Sequence, residues 1–323
     1  NLKPMKLSLS EAEMNSMVER VNAEGDASRG ELVYRKDSLQ CIACHAIGET
    51  GGKIGPNLIS IGASAPVDYL IDSLLEPSKK IKEGYHTNLI TLKNGDAFAG
   101  GIVKETQSEL VIRDLVGKHN RISKADISNQ TISPVSLMPV GLTSQIREDE
   151  FVDLVRFMSE LGKEGKFTTT PQRFIRTWEV LPQGSPHPGT IHHYGLAVMT
   201  KDSPDYNWKF VYSKVDGCLP MGELDPSIND RHKGELRVAR SFVDVSEIGN
   251  HKVRLSGNFN YLHLFIGEEE IQIGKENGIA EIELPFKSSG RHKITLVGSA
   301  EQTIQDVSLE LLSEKLKVSF KQG

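Results

Sequence analysis

Two cysteines and a histidine stand together in the segment Cys41-Ile42-Ala43-Cys44-His45. The two thiols are separated by two residues, and an imidazole follows the second thiol directly. This spacing is typical of covalent haem attachment, in which each thiol adds to one vinyl group of the porphyrin and the histidine binds the iron. The motif therefore predicts one covalent haem c, held by Cys41 and Cys44, with His45 as the proximal iron ligand.

Closely spaced cysteines also occur in two other kinds of site. A redox-active Cys-x-x-Cys pair is expected beside a β-α-β pattern, which is missing around residue 41. A structural zinc site needs a second pair of ligands at short spacing, and none appears in the sequence. The chain has three cysteines, too few for a disulfide framework, and we expect the third, Cys218, to be a small buried residue.

Composition limits the classes of partner. The chain has 323 residues, a formal net charge of -5 and 25% charged residues, which is typical of a soluble protein of two or three domains. No basic block is present, so nucleic acid is not expected as a partner. No stretch approaches the roughly 20 apolar residues that a membrane-spanning helix needs, so no membrane span is expected.

The spacing of apolar residues, which indicates the elements that position the motif, changes along the chain. Apolar residues recur with helical spacing at 10–22, 66–76 and 148–161. Between the last two, residues 86–132 contain short apolar runs broken by turn residues, including Asn94-Gly95, a strong hairpin signal. This segment predicts four or five short strands in a small barrel or curled sheet.

Beyond a predicted linker, the chain consists of short strand-like runs separated by turn signals, a pattern that favours an antiparallel β-sandwich. Its aromatic residues could form a platform on which sugar rings stack, although aromatic residues in a sandwich are more often core. Carbohydrate is therefore a candidate ligand of this half of the chain. The residues concerned are Trp178, Tyr206, Trp208 and Tyr212.

The segments around the haem motif resemble class I cytochromes c, and more closely the haem-binding domain of large secreted planctomycete proteins. The resemblance covers about residues 25 to 161, less than half of the chain. It rests on Gly25-Asp26, on Arg29 to Tyr34, on Gly51-Gly52-Lys53-Ile54-Gly55-Pro56-Asn57-Leu58, on Ile61-Gly62, Tyr69-Leu70 and Glu76-Pro77-Ser78, and on Ser136 to Leu142.

Together these patterns predict a multidomain α+β protein. Residues 1–24 are expected to form an N-terminal helical extension, and residues 25–162 a mostly-α cytochrome c domain. A small β-barrel-like insertion at 86–132 interrupts that domain. A linker at 163–175 leads to an all-β sandwich domain at 176–323.

The resemblance also implies roles for two further residues. The backbone carbonyl of Pro56 would accept a hydrogen bond from the second ring nitrogen of His45 and so orient the ring. Met138, 93 residues after His45 (138 − 45), matches the family's distal axial methionine, whose thioether raises the reduction potential and closes the iron to other ligands. His86, His119 or an open sixth position are the alternatives.

The function implied by the resemblance is electron transfer, without an enzyme's own catalysis, between a donor and an acceptor protein. The chain could belong to a larger dehydrogenase. In similar bacterial proteins covalent haem attachment occurs outside the cytoplasm, so a periplasmic or extracellular location is expected. Two alternatives are a surface polysaccharide-binding protein with an ancillary haem, and a haem enzyme or gas sensor with a labile sixth ligand.

Overall fold

The computed structural model divides the chain into two compact units, Asn1–Thr169 and Thr170–Gly323. The division falls within the segment 163–175, which the sequence predicts as a linker. The structure describes residues 6–114, 116–168, 173–186, 191–221, 224–231, 234–257, 261–274, 278–299 and 306–319.

The first unit combines α-helices, short 3-10 helices and seven strands among its described residues. The α-helices are α1 Glu11–Glu24, α2 Ala27–Tyr34, α3 Cys41–Cys44, α4 Ile61–Ser64, α5 Val67–Leu75 and α6 Glu148–Glu160. The 3-10 helices are Asp37–Leu39, Lys124–Asp126 and Leu142–Gln145. The strands are β1 His45–Ile47, β2 Thr50–Lys53, β3 Asn88–Leu92, β4 Ala97–Glu105, β5 Glu109–Arg113, β6 His119–Ser123 and β7 Ile127–Ile132.

Helices α1, α2, α4 and α5 each pack against α6. A methyl group added at Gly30 of α2 would lie 1.9 Å from the carbonyl oxygen of Asp153, so the two helix backbones touch at this point. One turn later the rings of Tyr34 and Phe157 lie 5.6 Å apart. Gly62 of α4 approaches α6 in the same way, because an added methyl group would lie 2.3 Å from the carbonyl oxygen of Ser159. Glycines at these two crossings therefore let the helix backbones come into direct contact.

Residues 88–132 form a five-stranded antiparallel sheet with the order β6-β5-β4-β3-β7. The first part of β4 pairs with β3 and the second part with β5, with an irregularity between Ile102 and Lys104 that bends the strand. The sheet surrounds a small core of its own, built from Ile90, Leu110, Ile112 and Ile122. Among the described strands β6 and β7 remain edges. The predicted barrel-like closure is therefore wrong, because the strand order leaves these two edges unpaired with each other.

The second unit is built from two antiparallel sheets. Its strands are β8 Thr177–Val180, β9 Lys209–Tyr212, β10 Ile228–Asp230, β11 Gly234–Val245, β12 Gly249–Gly257, β13 Leu262–Ile266, β14 Glu269–Ile271, β15 Gly278–Phe286, β16 Gly290–Ser299, β17 Ser308–Leu311 and β18 Leu316–Val318. Its short helices are α7 Ile191–Tyr194 and the 3-10 helix Gly195–Thr200.

The larger of the two sheets has eight strands, along the path β14-β13-β16-β11-β8-β9, with β10 and β18 also paired to β11. The smaller sheet has the order β15-β12-β17. Alternate residues of both sheets enter one hydrophobic cluster, which contains Val243 and Leu296 of the large sheet and Val253 and Leu284 of the small one. Burial of these side chains on both sheets holds the two layers together.

The predicted fold class is wrong for this chain. Of the described residues 37% lie in strands and 25% in helices, and strands are present in both units, so the protein is mostly β. The first unit is not the mostly helical domain that the resemblance implied. The reason is that the stretch 88–132 and the hairpin β1–β2 add seven strands to six α-helices.

Candidate functional site

Cys41 and Cys44 lie at the two ends of α3, a single helical turn. Gln40 precedes this turn in the left-handed region, with φ 54° and ψ 15°. His45 ends the turn in an extended conformation and begins β1. Its backbone carbonyl accepts a hydrogen bond of 2.8 Å from the Tyr34 hydroxyl of α2. The two thiols and the imidazole therefore come from one short turn that is anchored to the helical core.

The ring of His45 is oriented by a backbone carbonyl. Its Nδ1 lies 2.8 Å from the carbonyl oxygen of Pro56. A carbonyl oxygen can only accept, so Nδ1 carries the hydrogen and donates it, which leaves the lone pair of the neutral ring on Nε2. This is the arrangement in which a histidine binds a metal through Nε2 while its other nitrogen is held by the protein.

The loop 50–58 lies directly against this turn because glycines leave room for it. A methyl group added at Gly55 would lie 2.5 Å from Cε1 of His45, and one added at Gly52 would lie 1.8 Å from the carbonyl oxygen of Ala43. The Gly55 N–H also donates to the Cys44 carbonyl at 2.8 Å. The glycine-rich loop thus presses Pro56 against the imidazole at a distance that only glycine neighbours permit.

Burial controls the protonation of the three groups. It raises the pKa of the Cys41 thiol to about 11 and also raises the pKa of the Cys44 thiol. Burial lowers the pKa of His45, an effect that the hydrogen bond to Pro56 opposes. At neutral pH the site therefore holds two protonated thiols and a neutral imidazole. A redox-active pair instead depends on a thiol whose pKa lies below its ordinary value, so the electrostatics here do not favour that alternative.

Met138 lies in the non-helical segment between β7 and the 3-10 helix Leu142–Gln145, and it is half-buried. Its N–H donates to Ser136 Oγ at 3.1 Å, and the Ser136 N–H donates to Ser78 Oγ at 3.1 Å. These bonds attach the methionine segment to the chain that follows α5. Neither bond connects Met138 to the segment Cys41–His45. Pro56, in contrast, is hydrogen-bonded directly to His45 of that segment.

The two alternative histidine ligands differ in position. His86 is half-buried at the entry to the five-stranded sheet, where its carbonyl accepts from the Asn88 side chain at 3.2 Å. His119 is exposed and begins the edge strand β6. In the part of the chain that the structure describes, no group of three or more His, Cys, Asp or Glu side chains is arranged to hold a metal ion.

Two features of the site have no role in the sequence reasoning. Tyr34, whose hydroxyl fixes the His45 backbone, is in the sequence only the end of the segment Arg29 to Tyr34 that carries the resemblance. Gly55 appears only as one of several loop glycines, and its closeness to the His45 ring depends on a contact across ten residues. The density of glycines between residues 48 and 55 was the available signal for such a close approach.

The aromatic residues named as a candidate platform in the second unit differ in their surroundings. Trp178 is 1% exposed, and its Nε1 donates to the Ile175 carbonyl at 3.0 Å and to Ser213 Oγ at 3.1 Å, so it is part of the core. Tyr206 and Trp208 form an edge-to-face pair at 6.0 Å. The guanidinium of Arg240 stacks 3.8 Å above the Trp208 ring. A protein cation therefore occupies the position over Trp208 that a sugar ring would need on that face.

Among the described residues, no helix is long and apolar enough to cross a bilayer. No family model matches the sequence, and no curated protein matches it.

Several solved structures show a weak likeness to part of the fold. A GH2 beta-galacturonidase from Eisenbergiella tayi bound to glycerol has a TM-score of 0.28 at 12% identity, over 44% of this chain and 24% of that chain. The same enzyme bound to galacturonate has a TM-score of 0.28 at 12% identity, over 44% and 25%. A beta-glucosidase from Kluyveromyces marxianus in complex with glucose has a TM-score of 0.24 at 10% identity, over 45% and 16%. The matched part of this chain spans a quarter or less of each structure, and at these TM-scores the likeness carries no functional assignment.

Proposed function

We propose that the first unit carries one covalently attached haem c and transfers single electrons between a donor and an acceptor protein. Cys41 and Cys44 supply the two thioether bonds, His45 supplies the proximal ligand, and Met138 supplies the distal ligand. The proposal places the protein in the periplasm or outside the cell, because covalent haem attachment takes place there in the bacterial proteins that the sequence resembles.

The observation that carries the proposal is the contact of 2.8 Å between His45 Nδ1 and the Pro56 carbonyl. It leaves Nε2 as the free nitrogen on a ring that the loop glycines hold in one orientation. Both neighbouring cysteines are free thiols, so nothing in the turn competes for their sulfur atoms. A turn with two free thiols and one oriented, neutral imidazole has the donor set that covalent haem binding requires.

Each residue of the turn has a separate task. Cys41 and Cys44 would fix the porphyrin edge, and Pro56 would keep the His45 ring from rotating and make its Nε2 a stronger donor. The haem, when bound, supplies an iron that cycles between the ferrous and ferric states. Met138 would supply a thioether ligand to the iron, which favours the ferrous state and keeps small molecules from binding.

Exposure of the turn supports transfer to another protein. Ala43, between the two cysteines, is exposed, and both cysteines are half-buried. A porphyrin edge bonded to these two sulfur atoms would therefore reach the surface. An exposed edge is what electron transfer between proteins needs, and transient redox contacts of this kind are small, with less than about 1,200 Å² buried in total.

Absorption spectra of the oxidised and reduced protein, produced in a host that attaches haem c, test the proposal. We expect the sharp reduced bands of a six-coordinate haem c and, in the ferric state, the weak red charge-transfer band of iron–thioether bonding. Met138→Ala should abolish that band and allow carbon monoxide to bind the ferrous iron. Met158→Leu is the matched control, because this methionine is 6% exposed in α6 and should leave the band intact.

Two outcomes would count against the proposal. A protein that binds no haem would remove it altogether. A native protein that lacks the charge-transfer band and binds carbon monoxide readily would instead favour the haem enzyme or gas sensor, and would remove Met138 as the distal ligand.

A further inference from the structure

In the part of the chain that the structure describes, the small sheet of the second unit has one covered edge and one open edge. On the β17 side, the Ile175 N–H donates to the Leu309 carbonyl and the Leu311 N–H donates to the Arg173 carbonyl, both at 2.9 Å. On the other side β15 pairs with β12, and within the described residues with no further strand. A strand of nine residues therefore presents an unpaired edge beside a sheet that has eight strands.

The register identifies which backbone groups face this edge. The backbone groups of Leu309 and Leu311 form their hydrogen bonds on the side of β17 that faces away from β12. The backbone groups of the intervening Glu310 therefore point toward its partner on β12, Arg254. Successive residues of an antiparallel strand bond alternately to its two neighbours, so Val253 of β12 bonds to Ile282 of β15. The odd-numbered residues of β15 consequently direct their backbone groups to the open edge. They are Ile279, Glu281, Glu283 and Pro285.

The core beneath this edge is incomplete. Along β15 the side chains that point into the hydrophobic cluster are fully buried at one end, at Leu284 and Phe286, with 0% and 2% exposure. Toward the other end, Ala280 and Ile282 contact the same cluster but remain half-exposed. One more strand beside β15 would finish the burial of these two side chains.

The edge of the large sheet lies on the same side of the core. Lys287, which follows β15, forms an ion pair of 2.6 Å with Glu269 of β14, the outermost strand of the large sheet. Ile271 of β14 and Ile273 after it are also half-buried against the common cluster. Half-buried apolar side chains at the edges of both sheets therefore pack on one common cluster, and an added strand beside β15 would cover more of it.

The charge of the edge indicates which strand fits. Glu281 is paired with Arg254 at 2.9 Å but half of its side chain is exposed. Glu283 is exposed and accepts a hydrogen bond from Asn250 at 3.2 Å, with no ion pair among the described residues. In a two-fold antiparallel pairing of β15 with a second copy, centred at Ile282, Glu281 of one copy would lie opposite Glu283 of the other, which disfavours that pairing. A strand with basic side chains on this face would instead place a cation opposite each of them.

We propose that the open edge of β15 binds an extended segment of a partner protein in which basic and apolar residues alternate. Its backbone adds to the sheet through Ile279, Glu281 and Glu283. Its basic residues pair with the two glutamates, and its apolar residues cover Ala280 and Ile282. Recognition by strand addition takes its affinity from backbone hydrogen bonds and its specificity from alternate side chains. Pro285, which has no N–H, ends the recognition site.

Binding of fluorescent heptapeptides to the full chain, followed by anisotropy, tests the proposal. One peptide alternates lysine with valine, and a second alternates glutamate with valine. We expect the lysine peptide to bind and the glutamate peptide to bind at least tenfold more weakly, because it places like charges opposite Glu281 and Glu283. Amide exchange at Ile279, Glu281 and Glu283 should slow when the lysine peptide is added, and exchange at Val253 should not change.

Two variants locate the contact. Glu281→Pro removes an N–H that faces the open edge, so it leaves the pairing with β12 intact and should abolish binding. Glu283→Lys tests the same edge without a change in the backbone and should weaken the lysine peptide about threefold, as expected for one cross-strand charge pair. Asp244→Lys, an equal charge reversal at an exposed position of β11, is the matched control and should bind like the native chain.

The proposal is overturned if neither peptide binds, if both bind equally well, or if Asp244→Lys weakens binding as much as Glu283→Lys. Sedimentation of the native chain tests whether a second copy of the chain, and not a partner protein, pairs with β15. A concentration-dependent dimer that Glu281→Pro abolishes would identify a second copy, and not a basic segment, as the strand that covers this edge.

Discussion

Replacement of Gly55 by alanine tests whether the loop glycines hold the His45 ring against Pro56. The added methyl group would lie 2.5 Å from Cε1, 2.7 Å from Nδ1 and 2.9 Å from Nε2 of the ring. These distances are far below van der Waals contact, so the ring or the loop must move. Gly55 does not have a positive φ, so alanine brings no backbone strain and the effect isolates this contact.

The size of the effect can be worked out from two contributions. Overpacking of a closely packed site costs about 1–3 kcal/mol. Displacement of the ring also breaks the hydrogen bond to Pro56, which adds roughly 1 kcal/mol. We therefore expect Gly55→Ala to lower the free energy of unfolding by about 2–4 kcal/mol. For a unit of this size that corresponds to a fall in Tm of roughly 4–16 °C.

Thermal unfolding of the haem-free chain, followed by circular dichroism, measures this effect. The control is Gly101→Ala in β4 of the same unit, because an alanine methyl group there meets open space and the φ of Gly101 is not positive. The control should change stability by no more than about 1 kcal/mol. If Gly55→Ala unfolds at the same temperature as Gly101→Ala, the loop does not hold the ring and the reasoning fails.

Three further predictions follow from the described contacts. In the haem-free chain iodoacetamide should alkylate Cys41 about 100-fold more slowly at neutral pH than it alkylates an exposed thiol, because burial raises the pKa of Cys41 to about 11, and the rate should rise with pH toward that value. Fast alkylation at pH 7 would instead support a redox-active pair. Trp178→Ala should destabilise the second unit by about 3–5 kcal/mol in urea unfolding, whereas Phe210→Ala, at a side chain that is 54% exposed, should change it by less than about 1 kcal/mol. Gln40→Gly should stabilise the first unit by up to about 1 kcal/mol, because glycine adopts the left-handed conformation of this position without strain. A loss of stability would show that the hydrogen bond from the Gln40 side chain to the Asp37 carbonyl outweighs that strain.

Local signals made the longer elements predictable. Helix α1 lies on the predicted helical stretch 10–22, and its start is capped by Ser10 and Glu13. Helices α5 and α6 follow the predicted apolar period, and strands β11, β12, β13 and β16 lie in the part of the chain beyond the linker that is predicted to consist of strands. In each case the residues within one element are enough to predict whether it is a helix or a strand.

The parts that could not be predicted depend on pairings between distant residues. Whether β6 and β7 close a barrel is decided by the bend in β4 and by the strand order, and neither leaves a local pattern. Strands of three or four residues, such as β1, β10 and β18, are too short to show a period.

The candidate site divides in the same way. The types and spacing of Cys41, Cys44 and His45 are visible in the sequence because they lie within five residues. Pro56 came from the resemblance, and its distance to His45 needed the structure. The hydrogen bond from Tyr34 to the His45 carbonyl depends on how α2 packs on the turn. The room that Gly55 leaves for the His45 ring depends on how the loop 50–58 packs on the turn.

The central claim, covalent attachment of haem at the turn, is tested most directly by the intact mass of the denatured protein from a host that attaches haem c. Denaturation removes any group that is bound without a covalent bond. The account predicts that the native chain and Cys218→Ala both carry the added mass of one haem, and that the double variant Cys41→Ala/Cys44→Ala carries none. A native chain at the mass of the bare polypeptide, or a double variant that keeps the added mass, would contradict it.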